Sequence, residues 1–230
     1  MLKEGADFID VGGYSSRPGA PDVPEQEELK RVLPVIEGLL AEFPEALISV
    51  DTFRSAVARE ALDAGASMVN DISAGLRDAQ MLPLVAERQV PYVMMHMKGT
   101  PQDMTEHTEY EDLVGDILFY FSDRLAAARE LGITDCIVDP GFGFAKTREQ
   151  NFNLLGSLDR FQTLNAPLLV GISRKSMIHK TLDITPEEAL NGTTALHMLA
   201  LEGGAQILRV HDVKEAEECV RLWEAFREAQ

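Results

Sequence analysis

Cysteine is nearly missing: the 230 residues contain only Cys136 and Cys219, far apart and in no CxxC or Cys/His spacing. That pattern excludes a disulfide framework and a zinc site of the usual spacing, and it fits a reducing, cytoplasmic setting. Positive charge is scarce as well, with 21 Lys and Arg against 38 Asp and Glu and a formal net charge of −17. No basic run long enough to form an electrostatic footprint occurs, so nucleic acid is a poor partner, and any anionic substrate must meet a locally basic pocket. The opening segment from Met1 to Asp7 has no apolar run of the signal-peptide kind. Nowhere do apolar residues approach the ~18 in succession that a membrane helix requires, so secretion and membrane insertion are not expected. What remains, 45% hydrophobic and 26% charged residues, is the composition of an ordinary globular chain.

Short apolar runs rich in β-branched residues recur along the chain, each closing on polar or glycine residues and each followed by a helical pattern. Strands are predicted at 8–12, 47–51, 68–72, 92–96, 136–139, 167–173 and 207–211. Helices are predicted near 25–42, 54–64, 78–88, 109–131, 148–157, 186–202 and 214–228. Strict βα alternation forces parallel strands with crossover helices, hence an open doubly wound sheet or a closed (β/α)8 barrel. Two features favour the barrel. Polar residues end almost every strand, whereas an open sheet concentrates its site at one switch point. The dinucleotide fingerprint is also absent, because Gly12-Gly13 lacks the GxGxxG spacing. No composition break or linker divides the chain, so a single α/β domain over residues 1–230 is expected, a parallel (β/α)8 TIM barrel with seven of its eight strands recognisable.

Alternation along each strand tells which terminal polar residues share a face. Asp10 opposes Ile9 and Val11, Asp51 opposes Ile48 and Val50, Asn70 opposes Asp71, and Asp139 opposes Val138. Three carboxylates and an amide thus converge from four strands, although any one of them also suits a turn cap. The other side is basic. Arg209 and His211 share a face, Lys175 lies where a helix can begin after the strand at 167–173, and Arg17 lies in the loop after the first strand. Acidic and amide groups suit a flat heterocycle with N–H donors, and the basic groups suit a phosphate or diphosphate. No nucleophilic triad is visible. The segment Gly141-Phe142-Gly143-Phe144-Ala145-Lys146-Thr147 fails as a P-loop because Ala145 stands where glycine is required and the spacing is too short. Phe144 there is a candidate wall for a planar ring.

Taken in order, Asp10–Ala20, Ser49-Val50-Asp51-Thr52, Val69-Asn70-Asp71-Ile72, Met95-His96-Met97, Asp139–Phe144, Ser173-Arg174-Lys175-Ser176 and Arg209-Val210-His211-Asp212 resemble the dihydropteroate synthases, the sulfonamide-target enzymes of folate biosynthesis. The resemblance runs from about residue 5 to the C-terminus. It implies a pterin-binding TIM barrel, a transferase that joins 6-hydroxymethyl-7,8-dihydropterin diphosphate to p-aminobenzoate and releases pyrophosphate. It further implies that Asp51, Asn70, Asp139 and Lys175 hold the pterin, with Ile72, Met94, Phe144 and Gly171 shaping its slot, and that Asp51, Asp139 and Lys175 act in catalysis. Arg209 and His211 would bind the diphosphate with its magnesium. Asp10, Ser16, Arg17, Pro18 and Ser176 would form the p-aminobenzoate site, and a homodimer is implied.

The sequence departs mildly from the family at Tyr14, Ser16, Ala145, Met177 and His179. The larger departure is at the front, where the family's first strand and first mobile loop have no counterpart. That stretch carries the family's magnesium-binding Asn, so no metal ligand is expected in this chain, and weak turnover by the chain alone is an expectation. A non-catalytic pterin-binding or structural protein and a pterin-dependent methyltransferase are the alternatives. The second would not need the Ser173–Ser176 and Arg209–His211 segments for a diphosphate.

Overall fold

The computed structural model describes residues 1–17 and 19–229. Seven parallel strands lie where the alternation predicts them: β1 (Phe8–Gly12), β2 (Leu47–Asp51), β3 (Met68–Asp71), β4 (Tyr92–Met95), β5 (Cys136–Asp139), β6 (Leu169–Val170) and β7 (Ile207–Leu208). β1 to β5 form one sheet in chain order, β6 pairs with β7, and a parallel bridge between Val138 and Leu168 joins the two groups. The sheet therefore runs unbroken from β1 to β7 with helices outside it, as in a βα barrel. β6 and β7 are two residues each, shorter than predicted, because the chain turns away after Gly171 and Arg174 adopts the left-handed region at φ 53°. Even so, the Arg209 N–H donates to the Val170 carbonyl at 3.0 Å, which extends the β6–β7 pairing to the site.

The helices are α1 (Glu25–Glu42), α2 (Ser55–Asp63), α3 (Met81–Arg88), α4 (Leu113–Glu130), α5 (Arg148–Leu155), α6 (Ser176–Leu182), α7 (Leu190–Glu202) and α8 (Val213–Glu228). Their starts follow from local chemistry. Thr147 caps α5 in a capping box with Gln150, and Asp112 caps α4 by accepting the Gly115 N–H. The short α6 begins at Ser176, directly after Lys175 where the sequence allows a helix to start, and the 3₁₀ turn Leu158–Leu164 is an addition to the predicted elements. A further 3₁₀ turn, Leu2–Glu4, is followed by Gly5, where an added Cβ would meet Glu217 Cγ of α8 at 3.0 Å.

Alternation divides the strands into two layers. Ile48, Val50, Val69, Met94, Val138 and Val170 point outward into the large core under the helices, with Ile36, Val85, Ile117 and Phe121. Met68, Val93, Ile137 and Leu169 point inward and fill the barrel floor together with Ile207. One pleat further along, the inner residues of β3 and β5 are Asn70 and Asp139, that of β4 is Met95, that of β6 is Gly171 and that after β7 is Arg209, so the apolar floor gives way to the ring of functional groups.

Asp71 is the exception on the outer face. Fully buried, it accepts hydrogen bonds from Ser73 N and Oγ at 2.7 Å each, Gly75 N at 2.8 Å and Tyr92 Oη at 2.7 Å. Burial pushes its carboxyl pKa up, and these donors pull it back. Asp71→Ala strips the acceptor from all four donors, three of them wholly buried. The substitution is expected to lower stability by about 3 kcal/mol, read as a lower urea midpoint at unchanged m-value. A change under about 0.5 kcal/mol would show that water replaces the carboxylate there.

Candidate active site

Register places the polar groups side by side at the C-terminal ends of the strands. Asp51 lies opposite Asn70 on β2 and β3, and Met95 lies opposite Asp139 on β4 and β5. Asp10 on β1 joins them through a hydrogen bond from Asn70 Nδ2 to its Oδ2 at 3.1 Å. The four inward residues predicted from alternation thus share one rim. Arg209, just past β7, reaches across it: Nε donates to Asp10 Oδ2 at 2.7 Å and Nη2 to Asp51 Oδ2 at 2.9 Å. The sequence suggests an acidic half and a basic half, whereas the structure folds Arg209 onto the acidic side. The remaining oxygen of Asp10, Oδ1, is buried without a partner.

These contacts set the electrostatics. Burial, reinforced by the nearby Asp10, Asp71 and Glu28, pushes Asp51 up to about 7 although Arg209 counters the rise. Burial disfavours the Arg209 charge, but Asp51 and Asp10 outweigh it and hold the guanidinium well above its ordinary value. Lys175 is pushed down to about 8 by burial, opposed by the Asp139 carboxylate. Burial likewise raises Asp139, against the pull of Lys175, the Gly141 N–H, Arg209 and Lys146. Lys175 Nζ donates to the Phe142 carbonyl and lies 5.0 Å from the Phe144 ring centroid. Gly171 lies beside both cations: a Cβ there would make ordinary contacts, 3.7 Å from Arg209 Cβ and 4.0 Å from Lys175 Nζ.

An apolar wall stands over this rim, made by Phe53, Ile72, Met95, Met97, Met104 and Ala145 with Tyr14 and Phe144 against them. Ile72 and Phe144 belong to it as expected. Met94 does not: on β4, Tyr92 and Met94 point into the helix-facing core, so strict alternation turns Met95 to the inner side. Met95 replaces Met94 in the slot.

The remaining predicted residues lie around the rim. His211 is exposed, its N–H donates to Ser173 Oγ at 3.2 Å, and its Nδ1 is 3.1 Å from the same oxygen. Its pKa is lowered by desolvation, with Asp212 opposing and Arg209, Arg174 and Arg17 adding to the drop, so Arg17 acts on the same region. Ser16 is partly buried in the loop after β1, Ser176 is the exposed first residue of α6, and Pro18 lies outside the described residues. Arg174 is structural: it pairs with both carboxylate oxygens of Asp212 at 2.8 Å.

Two groups escaped the sequence reading. One is Arg54, which pairs with the fully buried Glu28 and stacks over Phe53 at 4.8 Å and Tyr14 at 5.4 Å, tying the loop after β1 to the start of α2. Nothing in the sequence signals a pair 26 residues apart. The other is Lys146, at the Lys-Thr end of the segment whose spacing is too short for a P-loop.

Comparison with known proteins decides among the barrels that such a rim could serve. The family described as "Pterin binding enzyme" matches residues 1–211. The chain is 46% identical to the dihydropteroate synthase of Synechocystis over 98% of its own length and 79% of that protein. The chain belongs to the dihydropteroate synthase family. Among solved members, the Yersinia pestis dihydropteroate synthase in a sulfonamide drug complex superposes with a TM-score of 0.95 at 42% identity, covering 99% of this chain and 82% of that one. The Xanthomonas albilineans dihydropteroate synthase with 4-aminobenzoic acid gives 0.92 at 42% identity, covering 98% and 81%. The TIM barrel of the dihydropteroate synthases is therefore the fold of this chain.

Within that family scaffold, Arg209 is the counter-charge that keeps Asp51 ionisable. A carboxyl whose folded pKa is raised stabilises the fold at low pH, and that contribution is lost as pH rises through about 7 for Asp51. Arg209→Gln removes the cation and raises this pKa further. Its destabilisation is expected to be smaller at pH 5.5, where Asp51 is protonated and the Asp10 contact is the ion pair lost, than at pH 8, measured by urea unfolding at both values. Equal losses at the two pH values would mean that Arg209 contributes packing alone.

Proposed function

We propose that this chain condenses 6-hydroxymethyl-7,8-dihydropterin diphosphate with p-aminobenzoate, yielding 7,8-dihydropteroate and pyrophosphate, a step of folate biosynthesis. The observation that carries the reading is the rim itself: Asp51, Asn70, Asp139 and Lys175 around a slot walled by Ile72, Met95 and Phe144, with Arg209 alongside. Carboxylates and an amide match the N–H donors and ring nitrogens of a pterin, and the half-buried Lys175 matches its carbonyl. A diphosphate competes with Asp10 and Asp51 for the Arg209 guanidinium, so binding the leaving group frees Asp51 for the ring.

In this reading the C–O bond to the diphosphate breaks first and its electron pair leaves with pyrophosphate. The methylene carbon, now cationic and conjugated with the ring, is stabilised by the Asp51 and Asp139 carboxylates aimed into the slot. The p-aminobenzoate nitrogen then attacks with its lone pair, forming the C–N bond, and its surplus proton passes to solvent. Asp10, Ser16, Arg17, Pro18 and Ser176 are assigned to the p-aminobenzoate side, Arg209 and His211 to the diphosphate, and Gly171 lies beside both Arg209 and Lys175. Magnesium enters only with the diphosphate, as this cation commonly does. No group of three His, Cys, Asp or Glu side chains able to hold it occurs among the described residues. The reading also places the chain in the cytoplasm as a homodimer, supported by its free buried cysteines and by the exposed Leu199, Leu222 and Phe226 of α7 and α8. No helix among the described residues is long and apolar enough to cross a membrane.

The test is pyrophosphate release that depends on both substrates and is inhibited by a sulfonamide in competition with p-aminobenzoate. Asp139→Asn and Lys175→Met are each expected to lower kcat by about 100-fold. Release without p-aminobenzoate, or none while pterin still binds, would overturn the synthase assignment in favour of a hydrolase or a binding protein. Arg209→Ala should weaken pyrophosphate binding at least tenfold more than that of a phosphate-free pterin, by the loss of one charge-assisted contact of about 1.5–3 kcal/mol. Competition calorimetry with the two ligands reads the difference, and equal losses would remove Arg209 from the diphosphate site. Affinity for a phosphate-free pterin should fall as pH drops through about 7, where Asp51 takes up a proton.

A further inference from the structure

In the loop that follows β5 lies a buried lysine that the proposed chemistry does not use. Lys146 is 8% exposed, and its ammonium donates to the carbonyls of Gly141 at 3.0 Å and Phe144 at 3.1 Å. Its third neighbour is His96 Nδ1 at 3.1 Å. An ammonium has three donors and no acceptor, so this contact is satisfied only if Nδ1 carries the lone pair and the ring is neutral with its proton on Nε2. His96 is itself buried, edge-on to Tyr120 at 4.9 Å.

The two carbonyls matter because of what their loop holds. The Gly141 N–H donates to Asp139 Oδ1 at 2.8 Å, the Phe142 carbonyl accepts from Lys175, the Gly143 N–H donates to Asn151 Oδ1 at 2.7 Å, and Phe144 supplies the wall. Lys146 thus ties together both ends of the segment that orients Asp139 and Lys175. We propose that Lys146, paired with a neutral His96, is a positioning residue for the condensation: it fixes the Gly141–Phe144 loop and supplies a charge that favours the Asp139 carboxylate. The inference rests on the synthase reading and deepens it at the same site.

The charged and titratable groups around the pair fit this role. Lys146 faces Asp139, Lys175 and Lys98, and burial pushes it down to about 7 while Asp139 holds it up. His96 is driven to about 2 by burial and by Lys146 and Lys98, so it stays neutral and remains an acceptor over the whole working range. Asp139 in turn faces Lys175, Arg209 and Lys146, each of which favours its ionised form.

Lys146→Met keeps the length and removes the charge and all three donors. Relative to the wild-type chain it is expected to lower kcat/KM for the dihydropterin diphosphate by about 10- to 100-fold, the scale of a reacting group misplaced by about an ångström. The KM for p-aminobenzoate should stay within about twofold, since its proposed site lies elsewhere. The acid limb of the pH profile, to which both Asp51 and Asp139 contribute, should broaden and move to higher pH as Asp139 loses one of its cations. His96→Leu is expected to reproduce the shifted limb, and His96→Asn, which restores an acceptor facing Lys146, to return it toward the wild-type value. An unshifted limb in Lys146→Met, or His96→Asn behaving as His96→Leu, would overturn the proposal. If Lys146→Met does not fold, as judged by circular dichroism, the two His96 variants decide alone. If the wild-type chain binds a phosphate-free pterin but releases no pyrophosphate, the synthase reading fails. The positioning role is then read from that pterin's affinity and its pH dependence in the same variants, and an unchanged affinity in all three would end it.

Discussion

The guanidinium of Arg209 answers two carboxylates from two different strands at 2.7 and 2.9 Å, and the rim is organised around that triangle. In a chain with a net charge of −17, three strand-end aspartates pointing into one space would repel one another. Arg209 makes their convergence tolerable. Because it follows β7 while Asp10 and Asp51 lie on β1 and β2, the same contact links the last strand of the sheet to its first two. Electrostatics at the site and cohesion of the barrel therefore share one side chain. Its own position is fixed by a backbone hydrogen bond to Val170 rather than by its carboxylate partners, so a ligand can draw the guanidinium away without loosening the strand.

Much of this was legible in the sequence wherever a polar residue sets the phase of a strand. Asp10, Asp51, Asn70 and Asp139 each interrupt an apolar run, and each interruption marks the inner face that the structure confirms. On β4 there is no such marker. Tyr92, Val93, Met94 and Met95 are all buried, and two adjacent methionines look alike until the outer core claims one of them. The lengths of β6 and β7 were equally hidden, because the apolar residues that continue the pattern, Ile172 and Val210, lie in segments that have already turned out of the sheet. The seven-residue α6 is too short to establish a helical period.

The pairings that stabilise the loops were beyond a linear reading for a different reason. Glu28 with Arg54 and Lys146 with His96 are separated by 26 and 50 residues, and no spacing pattern links the two partners of either pair. A buried ionic or polar contact between distant segments becomes visible only once the topology has brought them together. Motif comparison can mislead here: the Lys-Thr ending of the Gly141–Thr147 segment invites a phosphate-loop interpretation, yet its lysine turns inward and serves the backbone of its own loop.

Gly141 shows how far that loop is constrained. At φ 72° its Cα lies so near the His96 carbonyl that a Cβ would stand 2.1 Å from the oxygen, which is backbone and cannot swing aside. Every amino acid one nucleotide away from a glycine codon carries a Cβ. Single-nucleotide mutation can thus vary this side of the slot far less readily than the exposed loops, and a ligand drawing its affinity from the Asp139–Phe144 side would contact a part of the protein with few viable sequence neighbours.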